Sequence, residues 1–198
     1  MALDERRSPW RVAVLSVAVS LPAYAVGAPV THCHADENVF FSCVAGKKTV
    51  SLCGQPGGGG LAALTYRYGL PGKVENEYAA TRTNGNRFLG TVESDSPRAE
   101  VREIWFDHGE FRYLVTSCLG GDCPYHGGLA VLQHGRVLSA LRCAGGPDAL
   151  TAFSSDLVDF DSVDGSGDGG KSRTPLLKLV GDTNRIERLY PIPAGAYP

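Results

Sequence analysis

Three features of the sequence predict an all-β fold, an antiparallel sandwich or barrel of about eight strands. Short runs of alternating apolar and polar residues are separated by Gly, Pro and Asn turn signals about every 8–12 residues. No segment after residue 30 sustains the 3.6-residue apolar period of a long helix. The composition, with 25 glycines, 12 prolines and one methionine, suits turns better than helices.

The elements follow in order. Val39 to Cys53, VFFSCVAGKKTVSLC, is two alternating runs around Gly46-Lys47. Gly at the first central position of a two-residue loop predicts a type II′ hairpin. That register pairs Cys43 with Val50 and Phe41 with Leu52, giving one apolar face, and sets Cys53 opposite Phe40 on the other. Cys43 and Cys53 then lie too far apart to bridge each other, since a disulfide spans about 4.4–6.8 Å between Cα atoms. Each needs a partner elsewhere, and Cys33 and Cys143 are the natural candidates. QPGGGG, residues 55–60, is a flexible connection. Leu61–Gly69 and Lys73–Tyr78 form a second pair around Leu70-Pro71-Gly72. Arg87–Glu93 is a weaker strand. Glu100–Asp107 turns at His108-Gly109 into Glu110–Ser117, and Gly128–His134 turns at His134-Gly135 into Arg136–Cys143. Pro147–Phe153 is predicted as one short helix, with Pro147 in its first turn.

The ends differ in character from this domain. A charged start is followed by VAVLSVAVSL, residues 12–21, and then Ala23-Tyr24-Ala25, the pattern of a secretory signal peptide cleaved after Ala25. The apolar run is about half the ~20 residues a spanning helix needs, so no membrane anchor is expected. Cleavage leaves 173 residues, and with Asp4, Glu5, Arg6, Arg7 and Arg11 removed the formal charge moves from −2 to −3. A mildly acidic chain argues against nucleic acid as a partner. The β domain is expected over residues 33–153, an acidic, glycine-rich linker over 154–175, and a partly disordered tail over 176–198 whose Leu176–Val180 run offers an edge strand.

Six cysteines, Cys33, Cys43, Cys53, Cys118, Cys123 and Cys143, all follow the leader, and an even number in an exported chain reads as disulfides. SCLGGDCPYHGG, residues 117–128, holds two of them. As a metal site it offers Cys118, Cys123, His126 and Asp122, but the spacing is loose and no second cysteine pair matches it. As a thiol catalyst it lacks an activating set. A Cys118–Cys123 bridge needs only an oxidising compartment, and it pre-orders a loop for recognition. His32-Cys33-His34 is a second place where a metal could sit, and an envelope metal-binding or redox protein using His32, His34 and the Cys118–His126 loop is the alternative reading. Glu100, Glu103, Asp107 and Glu110 read as surface charge. Trp105, Tyr66, Tyr68 and Tyr113 read as core or cross-strand pairs. No nucleophile, base and oxyanion set can be assembled, so no enzyme activity, cofactor or resident metal is expected.

CHADENVFFSCVAGKKTVSLCGQ (33–55), TYRYGLPGKVENEY (65–78) and FRYLVTSCLGGDCPYHGGLAVLQHGRVLSALRC (111–143) together resemble a broad set of exported bacterial proteins over about residues 33–165. The pattern is similar to the periplasmic inhibitor of invertebrate-type lysozyme, an all-β protein that presents a Ser-Gly-x-x-Tyr loop to the enzyme cleft. Of that motif Ser117 matches, while Cys118 stands at the glycine position and Gly121 at the tyrosine position. Cys33, Cys43, Cys53 and Cys143 fit the wider set; Cys118, Cys123 and the tail beyond about Gly165 are additions. The resemblance implies a periplasmic or secreted binding protein whose partner is a protein of the cell envelope or exterior, a lysozyme first among them. Ser117, Tyr125 and His126 are the expected contact residues.

Overall fold

The structure is a computed structural model that describes residues 30–144, except positions 59, 97, 122 and 124, together with residues 176–180. The expected signal sequence, the expected Pro147–Phe153 helix, the expected 154–175 linker and the chain beyond Val180 lie outside the described residues. No described helix is long and apolar enough to cross a membrane.

The described residues form ten strands in two sheets: β1 (Asn38–Ala45), β2 (Lys48–Gly57), β3 (Gly60–Leu70), β4 (Lys73–Thr81), β5 (Phe88–Ser96), β6 (Ala99–His108), β7 (Phe111–Leu119), β8 (Gly127–Gln133), β9 (Arg136–Arg142) and β10 (Leu177–Leu179). The first sheet is the meander β1-β2-β3-β4, and the second runs β10-β5-β6-β7-β8-β9. This is the sandwich and not the barrel. Ten strands replace the expected eight or so, and the second sheet is mixed, because β10 pairs parallel with β5. Parallel neighbours cannot be joined by a tight hairpin, and β5 and β10 are far apart in the sequence.

Local chemistry sets the hairpins. Gly46 has φ +68° and Ala45 pairs with Lys48, so Gly46-Lys47 is the expected two-residue turn. Cys43 faces Val50 and Phe41 faces Leu52, as the alternation requires. Cys53, however, pairs with Val39 and not Phe40, because a bulge intervenes between Val39 and Phe41. The Phe40 ring fills the space beside Gly54, where a Cβ would overlap it. The β6–β7 turn is Gly109-Glu110, one residue later than expected, since Gly109 takes the positive φ of +61° and His108 pairs with Phe111. His134 and Gly135, at φ +48° and +78°, both adopt the left-handed conformation that joins β8 to β9.

The core lies between the inner faces. Phe41, Val50, Leu52, Leu64 and Tyr66 from the first sheet meet Phe88, Ile104, Phe106, Val115 and Leu129 from the second. Phe106 is held between two near-parallel rings, Tyr78 at 4.0 Å and Tyr113 at 5.0 Å, with Phe88 edge-on at 5.5 Å. Such pairs contribute about 0.5–1.5 kcal/mol each beyond area burial. Two disulfides fasten this body. Cys33 joins Cys53, and Cys43 joins Cys143 across 100 residues of sequence, tying β1 to the end of β9.

Candidate functional site: the stapled loop and the row beneath it

Cys118 and Cys123 form the third disulfide, with Cα atoms 5.7 Å apart, and close the loop between β7 and β8 into a small ring. Two glycines seat the ring. Gly120 has φ +119°, and a Cβ there would overlap the Arg98 carbonyl at the β5–β6 turn. Only glycine allows the loop to pack that closely. Gly127 stands where a Cβ would come 3.0 Å from Cys143 Sγ and 3.3 Å from the Phe41 ring, so the foot of the loop touches the long-range disulfide. Cys118 N–H donates to the His126 carbonyl at 3.1 Å and completes the ring's frame. Gly120 and Gly121 are exposed at the tip, and Leu119, Tyr125 and His126 are half-buried around it.

The structure separates the three expected contact residues. Ser117 pairs with Gly127 and is 0% exposed, its hydroxyl buried without a hydrogen-bond partner. It cannot reach a partner while the strand is intact, so the one residue matching the Ser-Gly-x-x-Tyr motif is a correction to the sequence reading. Its parity on β7, shared with the core residues Tyr113 and Val115, turns it inward. Tyr125 packs against a second apolar cluster of Trp105, Leu114, Ala130 and Leu132 on the opposite face of the same sheet.

That outer face carries a polar row next to the ring. Thr91 pairs with Glu103, Glu103 with Thr116, Thr116 with Gly128, and Gly128 with Arg142. Gly128 leaves a side-chain gap in this row between Thr116 and Arg142. The Arg142 guanidinium lies 5.8 Å from the centroid of the Tyr125 ring. The Tyr125 hydroxyl is pushed up to about 12, first by burial and then by the Glu103 charge, against the opposing pull of Thr116 and Arg142. The Thr116 hydroxyl, though beside this phenol, makes no hydrogen bond of strict geometry.

Glu103 is 4% exposed, which overturns its reading as surface charge. It shares a face with Trp105, and that pairing was the signal in the sequence that this side of β6 is covered. Glu100 fits the surface reading better, in an ion pair with Arg102 at 2.5 Å. Asp107 does too, holding Arg112 at 2.7 Å.

The alternative metal residues do not converge. His32 is buried, and its Nε2 sits 3.2 Å from the Gly69 carbonyl, to which it donates. His34 is exposed beside Glu37. Among the described residues one group of three potential ligands comes together, Cys33, Glu37 and Cys53. Both of its sulfurs are consumed in a disulfide and its carboxylate is held by Arg67.

Comparison with family models, with curated proteins and with solved structures finds no match to this chain. The likeness to lysozyme inhibitors therefore rests on the three sequence segments alone. Three disulfides fit an oxidising environment, extracellular or periplasmic.

Proposed function

We propose that this is an exported binding protein that uses the tip of the Cys118–Cys123 ring to engage a protein of the cell envelope or exterior, with lysozyme as the first candidate. One observation carries the reading. Two interior strands of the larger sheet present a disulfide ring that Gly120 seats against the β5–β6 turn and Gly127 seats against the Cys43–Cys143 bridge. A loop fixed before binding loses little further entropy on association. The leader at residues 1–25, with cleavage after Ala25, would deliver the chain to the compartment its disulfides need.

The contact residues in this reading are Leu119, Gly120, Gly121 and His126, with Tyr125 as the anchor that holds the ring on the sheet. Ser117 is not among them. No observation favours the metal or redox alternative. The test is inhibition of a panel of lysozymes, the invertebrate type included, by the oxidised protein and by Cys118→Ser/Cys123→Ser. Inhibition that weakens on the order of tenfold when the ring is opened supports the proposal. Absence of inhibition of every lysozyme removes that partner, and equal inhibition by the opened ring removes the loop.

A further inference from the structure

β9 is unlike the other strands described. β1 to β4 and β6 to β8 each bury at least one residue on the core, whereas Arg136 through Ala140 are all exposed. Leu138 is 53% and Val137 37% exposed. β9 stands at one end of the six-stranded sheet, and its contact with the core comes at its far end, where Leu141 packs inward and Cys143 bonds Cys43. In strand pairing β9 itself meets β8, and just past its end Ala144 bridges Val44 of β1, so the edge left open among the described residues is that of Arg136–Ala140. The free edge β4 is guarded differently. It carries Lys73, Glu75 and Glu77, with Glu75 paired to Lys48 and Glu77 to Arg67. Charges of both signs discourage strand addition. β9 reads RVLSALR, apolar within, arginine at both ends, and without an acid. Its only edge device is a bulge at Leu138.

We infer that the Arg136–Ala140 edge of β9 is an interaction surface that receives an extended strand of a partner protein, apolar in its middle and acidic at both ends. Strand addition supplies main-chain hydrogen bonds, and the terminal charges set register. A second copy is a poor occupant. Pairing antiparallel about Ser139 sets Arg136 against the other copy's Arg142, and in-register parallel pairing sets arginine on arginine at both ends. This surface does not depend on the stapled-loop reading: the amides of residues 136–140 report on it, and of the residues involved Arg142 alone lies by the ring's anchor, 5.8 Å from the Tyr125 ring centroid.

The probe is a pair of synthetic heptapeptides with the same Val-Thr-Val-Thr-Val centre, one with glutamate at both ends and one with lysine, titrated into the full protein while backbone amide shifts are recorded by NMR. The inference predicts shifts centred on residues 136–140 with the acid-ended peptide, and binding weaker on the order of tenfold with the lysine-ended one. It also predicts that Arg136→Glu/Arg142→Glu inverts the preference; unchanged amide dispersion elsewhere shows that this variant is folded. Shifts that avoid 136–140, or equal binding of both peptides, overturn it. So does a concentration-dependent dimer in sedimentation that Leu138→Asp dissolves, which would make a second copy the occupant.

Discussion

The two outer faces of the sandwich are finished in opposite ways. On the four-stranded sheet, polar residues Ser42, Ser51 and Arg67 are roofed by the chain's own Val30–Glu37 segment. Ser42 Oγ donates to the Val30 carbonyl at 2.7 Å and His32 N–H donates to Ser51 Oγ at 3.0 Å. Arg67 forks onto Glu37 at 2.5 and 2.9 Å and reaches Glu77 at 2.7 Å. Cys33–Cys53 locks the roof in place. On the six-stranded sheet, the polar row ends at a disulfide ring whose glycine tip is exposed. The first face is closed by bonds within the chain. The second presents a rigid loop outward. A closed polar face is the signature of stability, and a rigid projecting loop is where recognition is expected.

The three disulfides give the widest contrast. In the chain-entropy picture, a bridge stabilises according to the loop it closes. Removing Cys43–Cys143, with a separation of 100, should lower unfolding free energy by about 4.7 kcal/mol. Removing Cys33–Cys53, at a separation of 20, should cost about 3.3 kcal/mol, and opening the ring, at a separation of 5, about 2 kcal/mol. Denaturant titration of the three paired Cys→Ala variants reads this order. A ring that proves the most stabilising would make it a structural device and weaken its role in recognition.

The roof comes next. Arg67 and Glu37 side chains are 7% and 5% exposed, so Arg67→Met leaves a carboxylate buried without its main partner. The expected loss is about 3 kcal/mol, with most of it recovered in Arg67→Met/Glu37→Leu. If the single and double variants are equally unstable, packing of the arginine stem and not the ion pair holds the roof.

Acid sensitivity should also belong to the roof. Burial acts to raise the Glu37 carboxyl, but hydrogen bonds from Arg67 and the His34 N–H, with the nearby positive charges, outweigh it and hold the group below its usual 4.5. A carboxyl depressed in the folded state stabilises fully above the unfolded value, and that contribution is lost as pH falls through the folded one. The urea midpoint should therefore drop as the pH falls below the usual 4.5, and Glu37→Gln should flatten that limb. A limb unchanged in the variant would shift acid sensitivity to other carboxylates.

Smallest are two changes at the ring's foot. Tyr125 should ionise well above the ordinary tyrosine value of 10.0, near 12, and Tyr125→Phe should remove that step from a spectroscopic titration. Ser117→Ala removes a buried hydroxyl that has no partner, so stability should hold or rise slightly, and partner binding should not change. A loss of binding in Ser117→Ala would contradict the inward placement of that side chain.

Much of the frame was legible in the residues. The Gly46-Lys47 turn fixed the register of β1 on β2, and that register kept Cys43 and Cys53 from bridging each other. What was not legible has a common cause. Alternation sorts side chains into two faces without saying which face is covered, so Glu103 read as surface and Ser117 as available. The bulge after Val39 depended on Gly54 making room for the Phe40 ring, a contact between strands that strand-by-strand patterning does not contain. β10 pairs parallel across a long connection, and local sequence carries no signal for its partner.

The most direct test of the central claim is a disulfide-mapped digest, with intact mass, of the protein recovered from an oxidising compartment. The account predicts a chain beginning at Val26, six oxidised cysteines and a peptide linking Cys118 to Cys123. Free Cys118 and Cys123, or a retained metal mass, would contradict it and make the 117–128 loop a reactive centre instead of a recognition surface.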